Sequence, residues 1–321
     1  MPAWKQLTRI PLKARLYARE PYFREGLDQA WRCLGDATPE TLHRSALMMI
    51  KPDGLIGGKA PRIVEFLHEY GFEIVAVRHF VLHRLQWREL WRYQLTAATL
   101  DRLMVNDLVF SEPGLMLCLR DTTVSPLPAT VRLSELKGPS DVAQQTPGCL
   151  RRLMAQPNRV FSLFHVADEP ADLLRELSIF LDAWDRARVF NALMGVGALP
   201  EDEQSRLDGV VEASRRSARS LDAGHALARV RAALGAQRGS IAETEWAALH
   251  AALQSMAEGE RIAWRPFADA LARSGLMADP WDIAILGASF IVYDDPEASK
   301  QLVAVGHAPW LQPDFEFPPE D

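Results

Sequence analysis

Apolar positions along this chain recur with two different periods, and the change of period divides it. Over residues 20–34, Phe23, Leu27, Ala30, Trp31 and Leu34 fall on one side of a helix. The unbroken apolar run 46–50 then predicts a buried strand. Ile63, Phe66, Leu67 and Tyr70 predict a helix, and the β-branched and aromatic stretch 72–82 a second strand. Helical spacing returns over 87–93 and 100–110, and 115–119 is short and apolar enough for another buried strand. A connection rich in turn and polar residues follows. Residues 151–155 suit a short helix, and 160–166 read as a central strand. Leu173, Leu174, Leu177 and Phe180 give 171–181 helical spacing, with Pro170 suited to its first turn. The order strand, helix, strand, strand, helix, strand, with extra helices inserted, predicts an α+β fold of ferredoxin-like βαββαβ type. Its antiparallel sheet would carry helices on one face.

Beyond Trp184 the composition shifts to Ala, Arg, Leu and Glu, and 204–236, 241–257 and 264–274 are patterned as helices, with Gly235, Gly259 and Gly275 as stops. The tail 309–321 is rich in proline and acidic residues, which predicts an extended or disordered segment. The expected organisation is therefore a helical docking arm over 1–44, an α+β domain over 45–183 and an all-α region over 184–321 that ends in the acidic tail.

Composition adds exclusions. A chain of 321 residues with 48% apolar and 24% charged residues has room for two soluble domains. The net charge of −6 offers no general attraction to nucleic acid or an anionic membrane, yet allows a local basic pocket. Cys33, Cys118 and Cys149 form no CxxC pair, so neither a disulfide framework nor a zinc knuckle is suggested and a reducing cytoplasm fits. The first residues lack a signal-like apolar segment, and no stretch reaches the roughly 18 uninterrupted apolar residues of a membrane helix.

Candidate chemistry gathers in two places. Lys51-Pro52-Asp53-Gly54 closes the first strand, and Phe164-His165-Val166-Ala167-Asp168 leads into the helix that starts near Pro170. A neutral imidazole can attack a terminal phosphate and hold it covalently, while a lysine nearby offsets the phosphate charge. Glu176, eleven residues past His165 and in the second turn of that helix, is placed to reach back and fix the imidazole tautomer. GxxxxGK[ST], HExxH and GxSxG patterns are absent from the sequence. His79 and His83 lack a third metal ligand, and Trp87, Trp91 and Tyr93 read as helix packing.

With these residues on the page, 45–183 resembles the nucleoside diphosphate kinase family. The segment 46–54 is similar to that family's opening strand and lysine turn, and Gly71-Phe72-Glu73-Ile74-Val75 to the start of its second strand. Ser111-Glu112-Pro113-Gly114 resembles the turn before its third strand. Leu136-Lys137-Gly138-Pro139-Ser140 with Thr146-Pro147-Gly148-Cys149 and Arg151 resembles its phosphate-binding loop. The resemblance implies a ping-pong phosphotransferase with Mg²⁺ and ATP or another NTP, in which His165 is the nucleophile and Glu176 its support. Lys51, Tyr93, Ser140 and Arg151 would contact nucleotide or phosphates. Arg132 would be the second phosphate arginine, with Arg152 or Arg159 as substitutes. Asp168 matches an acidic position past the histidine that serves either the metal or the next helix. Where the family stacks an aromatic on the base this chain has Leu100-Asp101-Arg102-Leu103, leaving Leu103 or Phe110 for that role.

Three departures bear on activity. Ser162 stands where the family has a nucleotide-contacting asparagine, and Asn158 lies too far upstream to replace it. Ala167 stands where the family has a serine that bonds the glutamate, and the segment between Arg151 and His165 is one residue longer. Each lost positioning hydrogen bond costs about 1 to 3 kcal/mol, which predicts weakened or redirected phosphotransfer. The partners expected are a nucleotide and an NDP or other phosphate acceptor, with a homo-oligomer as a further expectation. The alternative is a catalytically weak or inactive nucleotide-binding module whose helical region regulates or binds a partner.

Overall fold

In the computed structural model of the chain, residues 4–195, 197–312 and 315 are described. Three helices, α1 (Pro11–Tyr17), α2 (Pro21–Leu34) and α3 (Thr38–His43), precede β1 (Ser45–Ile50). Pro21 opens α2 with a pre-set helical φ, and Gly35 at φ 54° ends it in a conformation that side chains resist. Next come α4 (Pro52–Ile56), α5 (Ala60–Glu69), β2 (Phe72–Val81), α6 (Arg84–Leu90), α7 (Leu100–Val109) and β3 (Pro113–Asp121). Then α8 (Ala129–Lys137) and α9 (Leu150–Leu153) lead to β4 (Phe164–Val166) and α10 (Pro170–Phe180).

The four strands pair antiparallel in the order β2-β3-β1-β4, the ferredoxin-like arrangement. Every residue of β1 is buried because it has a strand on each side and helices above and below. Alternate β1 side chains serve two cores. Ala46, Met48 and Ile50 pack with Ile63 and Phe66 of α5 and Leu133 of α8, whereas Leu47 and Met49 join Phe23 of α2 and Leu174 and Leu177 of α10. Helices thus cover both faces of the sheet, not one, and the N-terminal segment supplies part of the second layer. Burying a side chain such as Phe23, stacked on Trp4 at 5.0 Å, contributes roughly 2 to 3 kcal/mol.

A buried ionic network ties that layer down. Lys13 Nζ lies 2.7 Å from both Glu169 Oε2 and Asp172 Oδ2, Tyr17 Oη donates to Asp172 Oδ1, and Arg175 joins Glu20 and Glu89. The tail takes part as well. Trp310, within the 3₁₀ turn Ala308–Leu311, is buried and donates to Glu169 Oε1, which corrects the expectation of an extended segment for that part of 309–321. The rest of that tail, apart from Gln312 and Phe315, lies outside the described residues.

After α10 the chain continues as α11 (Ala183–Met194), α12 (Glu201–Arg216), α13 (Ala223–Ala236), α14 (Glu243–Ala257), α15 (Trp264–Ser274) and α16 (Pro280–Phe290). Leu207 of α12 enters the α5 core, and α16 packs on α7 so closely that a Cβ on Gly287 would come within 2.8 Å of Val105. Gly275, at φ 64°, ends α15 as expected, but α13 runs one residue past Gly235, and 204–236 is two helices rather than one.

Two further expectations change. The run 160–166 is not a central strand: only 164–166 pair, with β1 alone, at the sheet edge. Leu163 adopts φ 67°, its N–H bonds Asp53 Oδ2 at 2.8 Å and its carbonyl accepts Lys51 N at 3.0 Å, while Asn158 Oδ1 accepts the N–H groups of Val160 and Phe161. Side-chain acceptors replace the sheet ladder there. The polar connection after β3 contains α8.

Candidate functional site

A cleft of about 720 Å³ opens where β1, β4, α7 and the loop after α8 meet the segment 300–306. His165 lies on its wall, opposite Met49 of β1 in register, with a side chain 17% exposed. Its Nε2 lies 2.9 Å from Glu176 Oε1, and Trp91 Nε1 lies 3.4 Å from its Nδ1. An indole N–H can only donate, so Nδ1 carries a lone pair and the proton of the neutral ring resides on Nε2, where it donates to Glu176. The tautomer assigned by this network presents Nδ1 as the nucleophilic atom. Burial pushes the Glu176 carboxyl up, against the pull of His165, and its buried Oε2 has no hydrogen-bond partner among the described residues.

Lys51 follows β1 and is 2% exposed. Its Nζ donates to Val160 O at 3.0 Å, lies 3.4 Å from Asp53 Oδ1 and stands 5.3 Å from the centre of the Phe110 ring. Burial lowers its pKa, with Asp53 opposing and the nearby Arg151 and Arg102 adding to the effect. Arg151 donates through Nη1 to Gly138 O at 2.7 Å, its Nε lacks a partner, and burial draws it down to about 10. Two desolvated cations, Arg151 with an unbonded Nε among the described residues, suit an incoming anion, because a phosphate would return the electrostatic stabilisation that burial removes.

Ser140 and Ser162 line the same cleft, as does Asp168. Asp168 Oδ1 accepts from Ser134 Oγ and Lys137 Nζ, both at 2.9 Å, and although burial opposes it, Lys137 holds the carboxyl well below its ordinary range. Among the described residues no group of three His, Cys, Asp or Glu side chains is arranged to hold a metal.

Other expected residues are not brought to the cleft. Tyr93 points away: its hydroxyl bonds Glu20 and its ring packs near Tyr17 and Arg175. Trp91, two residues earlier, takes the cleft position expected of Tyr93. It is therefore not merely helix packing, because the turn after α6 directs it inward. Arg132 is held by Asp121 at 3.0 Å and by Tyr70 O, over the Phe72 ring, so it is no phosphate arginine. Arg152 donates to Gln145 O, and Asn158 is spent on its own turn. Of the substitutes, Arg159 does line the cleft; of the stacking candidates, Phe110 does, while Leu103 is partly buried and packs against the core. Sequence reasoning missed Trp91, Lys137, Arg102 and Lys300 as site residues. Lys137 lies inside the loop motif already singled out, whereas nothing in the sequence marks Lys300.

A ferredoxin-like α+β domain with a carboxylate-backed histidine beside buried cations defines the class. The nucleoside diphosphate kinase family model matches residues 44–185, so the chain carries a domain of that family followed by a helical C-terminal region. The nucleoside diphosphate kinase of Ignicoccus hospitalis is 27% identical over 133 residues, which are 41% of this chain and 85% of the relative. That of Heliobacterium modesticaldum is 25% identical over 144 residues, 43% of this chain and 91% of the relative. Two solved nucleoside diphosphate kinases are also similar. The Aquifex aeolicus structure has 19% identity and TM-score 0.36 and covers 42% of this chain and 93% of its own. The Halobacterium salinarum structure in complex with CDP has 21% identity and TM-score 0.36, with 43% and 87% covered.

Proposed function

We propose that the cleft is a phosphotransfer site of nucleoside diphosphate kinase type, in which the γ-phosphate of ATP or another NTP passes through His165 to an NDP or a different acceptor. The single observation that carries this reading is the pair of contacts at His165, Nε2 2.9 Å from Glu176 Oε1 and Nδ1 3.4 Å from Trp91 Nε1, from which the proton is assigned to Nε2. The Nδ1 lone pair, once its hydrogen bond from the Trp91 N–H is broken, attacks the γ-phosphorus, the bond to the β,γ-bridging oxygen breaks, and the NDP leaves with that electron pair. An acceptor oxygen then attacks the phosphorus and the N–P bond returns its pair to Nδ1. Lys51 and Arg151 offset phosphate charge throughout, Ser140 and Ser162, which line the cleft, would donate to phosphate or nucleotide oxygens, and Glu176 steadies the ring as it gains charge. Mg²⁺ would arrive on the nucleotide phosphates and neutralise part of their charge. Asp168 Oδ2 is the carboxylate oxygen left by the bonds to Ser134 and Lys137.

A second reading, a nucleotide-binding module with weak turnover, is favoured by one observation. Glu176 Oε2 is buried without a partner, and Ala167 offers no hydroxyl where the resemblance expects one. Titration of ATP into Lys51→Ala and Arg151→Ala proteins tests the pocket common to both readings. Each variant should weaken affinity about tenfold or more, as loss of a charge-assisted contact does. Unchanged affinity in both would remove the pocket.

A further inference from the structure

Three cations come together along the cleft from segments far apart in the chain: Arg102 from α7, Arg159 from the loop before β4, and Lys300 from the segment after α16. One carboxylate answers them. Asp294 pairs with Arg102 through Oδ1 and with Arg159 through Oδ2, the latter at 3.0 Å. Lys300 makes no hydrogen bond or ion pair among the described residues, and burial and the two arginines draw its pKa down. Three cations against one carboxylate leave two positive charges in excess at a partly desolvated place, a cost that a bound anion would relieve.

The arrangement is built rather than accidental. The C-terminal segment is stitched along the turn between α6 and α7: Thr99 N bonds Tyr293 O at 3.1 Å, Asp295 N bonds Ala97 O at 2.8 Å, and Gln301 N bonds Tyr93 O at 2.8 Å. Thr99 Oγ1 also donates to Val292 O at 2.6 Å. These bonds fix the strand of chain that bears Asp294 and Lys300 against the start of α7. In the stretch 100–103, where an aromatic platform for a base was expected, Leu100 faces solvent and Arg102 enters the cleft.

We propose that Arg102, Arg159 and Lys300 form a second anion subsite, which holds a phosphate group that the acceptor carries in addition to the one it receives from His165. A phosphate monoester near pH 7 carries a charge of about −1.5 to −2, close to the two positive charges in excess, and two guanidinium forks suit its oxygens. The acceptor role rests on the phosphotransfer reading of His165, whereas the subsite does not. The helical C-terminal region thereby selects the acceptor, by contributing Lys300 and by orienting both arginines through Asp294.

The test uses the full chain and inorganic pyrophosphate as probe, followed by titration calorimetry. Two sites per chain are expected. Arg159→Gln with Lys300→Gln should abolish or weaken one of them at least tenfold and spare the other, and Lys51→Gln with Arg151→Gln should do the reverse. Lys300→Gln alone, at a side chain with no bonds to lose, guards against misfolding and should weaken the second site severalfold. A single site that is indifferent to Arg159 and Lys300, or no binding at all, overturns the subsite. A second readout offers chain labelled by ATP to acceptors with and without an additional phosphate group. KM for an acceptor with the additional phosphate group should rise about tenfold in the Arg159→Gln, Lys300→Gln protein, severalfold more than KM for an NDP. Equal effects on both acceptors would overturn the acceptor role. A chain that takes no label defeats the phosphotransfer reading and with it that role, while the pyrophosphate titration still decides the subsite.

Discussion

The indole N–H of Trp91 points at Nδ1 of His165, the ring nitrogen left free when Nε2 bonds Glu176. Because indole can donate but not accept, this contact and the carboxylate on the other side select one tautomer between them. Nitrogen-15 NMR of histidine-labelled protein, at a pH where the ring is neutral, should show Nε2 protonated and Nδ1 bare. Glu176→Ala should return His165 to a tautomer mixture. A protonated Nδ1 in the wild-type chain would refute the assignment.

Trp91→Phe keeps an aromatic ring beside the imidazole, whose centroid lies 5.6 Å from that of Trp91, but removes the donor. Loss of one neutral hydrogen bond is worth about 1 kcal/mol, and because this bond occupies the lone pair that must attack phosphorus, the rate of label transfer from ATP should rise up to roughly fivefold while ATP affinity stays within twofold. A rate that falls would show that the indole N–H positions the ring for attack.

Ala167 and the orphaned Glu176 Oε2 give a gain-of-function prediction. Ala167→Ser introduces a hydroxyl where the family resemblance expects one, and satisfying a buried carboxylate oxygen is worth about 1 kcal/mol or more. Label transfer should accelerate severalfold. A rate at or below that of the parent would show that the serine cannot reach Glu176.

The buried Lys13 anchors the N-terminal layer. Burial opposes its charge, but Asp172 and Glu169 hold its ammonium well above the ordinary lysine range. Lys13→Met strands both carboxylates, and breaking such a pair costs about 3 to 5 kcal/mol. A urea titration should show that loss. A change below 1 kcal/mol would mean that water already screens the network.

Asp168 gives a pH prediction. Its carboxyl is lowered from the ordinary 3.8 by Lys137 against the effect of burial, so its stabilisation is present above about pH 4 and is lost as pH falls through the lower folded value. The urea midpoint of the wild-type chain should therefore drop more steeply below pH 4 than that of Asp168→Asn. Parallel curves would remove Asp168 from the acid response. Its side chain is one-third exposed, which keeps the effect modest.

Much of the fold is legible in the sequence where one physical signal dominates. The run Ala46 to Ile50 reads as a buried strand because both its faces are apolar, and the face of α2 is marked by Phe23, Ala30 and Leu34. The helix α8 is hidden because Thr130, Arg132 and Ser134 break its apolar stripe, and α16 because Ala284, Ile285, Leu286 and Ala288 are buried with no polar face to set a period. The sequence at 160–166 reads as a longer strand than the fold holds, because nothing local marks Leu163 as left-handed; Asp53, more than a hundred positions away in the chain, holds it there. In the site, the pairing of His165 with Glu176 follows from a strand end and the second turn of the next helix. The choice between Trp91 and Tyr93 does not, because the turn after α6 decides which ring faces inward. Lys300 and Arg102 meet only through tertiary packing.

The decisive measurement is incubation of the full chain with γ-labelled ATP and Mg²⁺, followed by acid and base treatment of the denatured protein. Phosphotransfer through His165 predicts acid-labile, base-stable label in the wild-type chain, as expected of a phosphoramidate, and none in His165→Ala. Label that persists in His165→Ala would place the nucleophile elsewhere, and an unlabelled wild-type chain that still binds ATP would leave nucleotide binding without transfer as the function of the cleft.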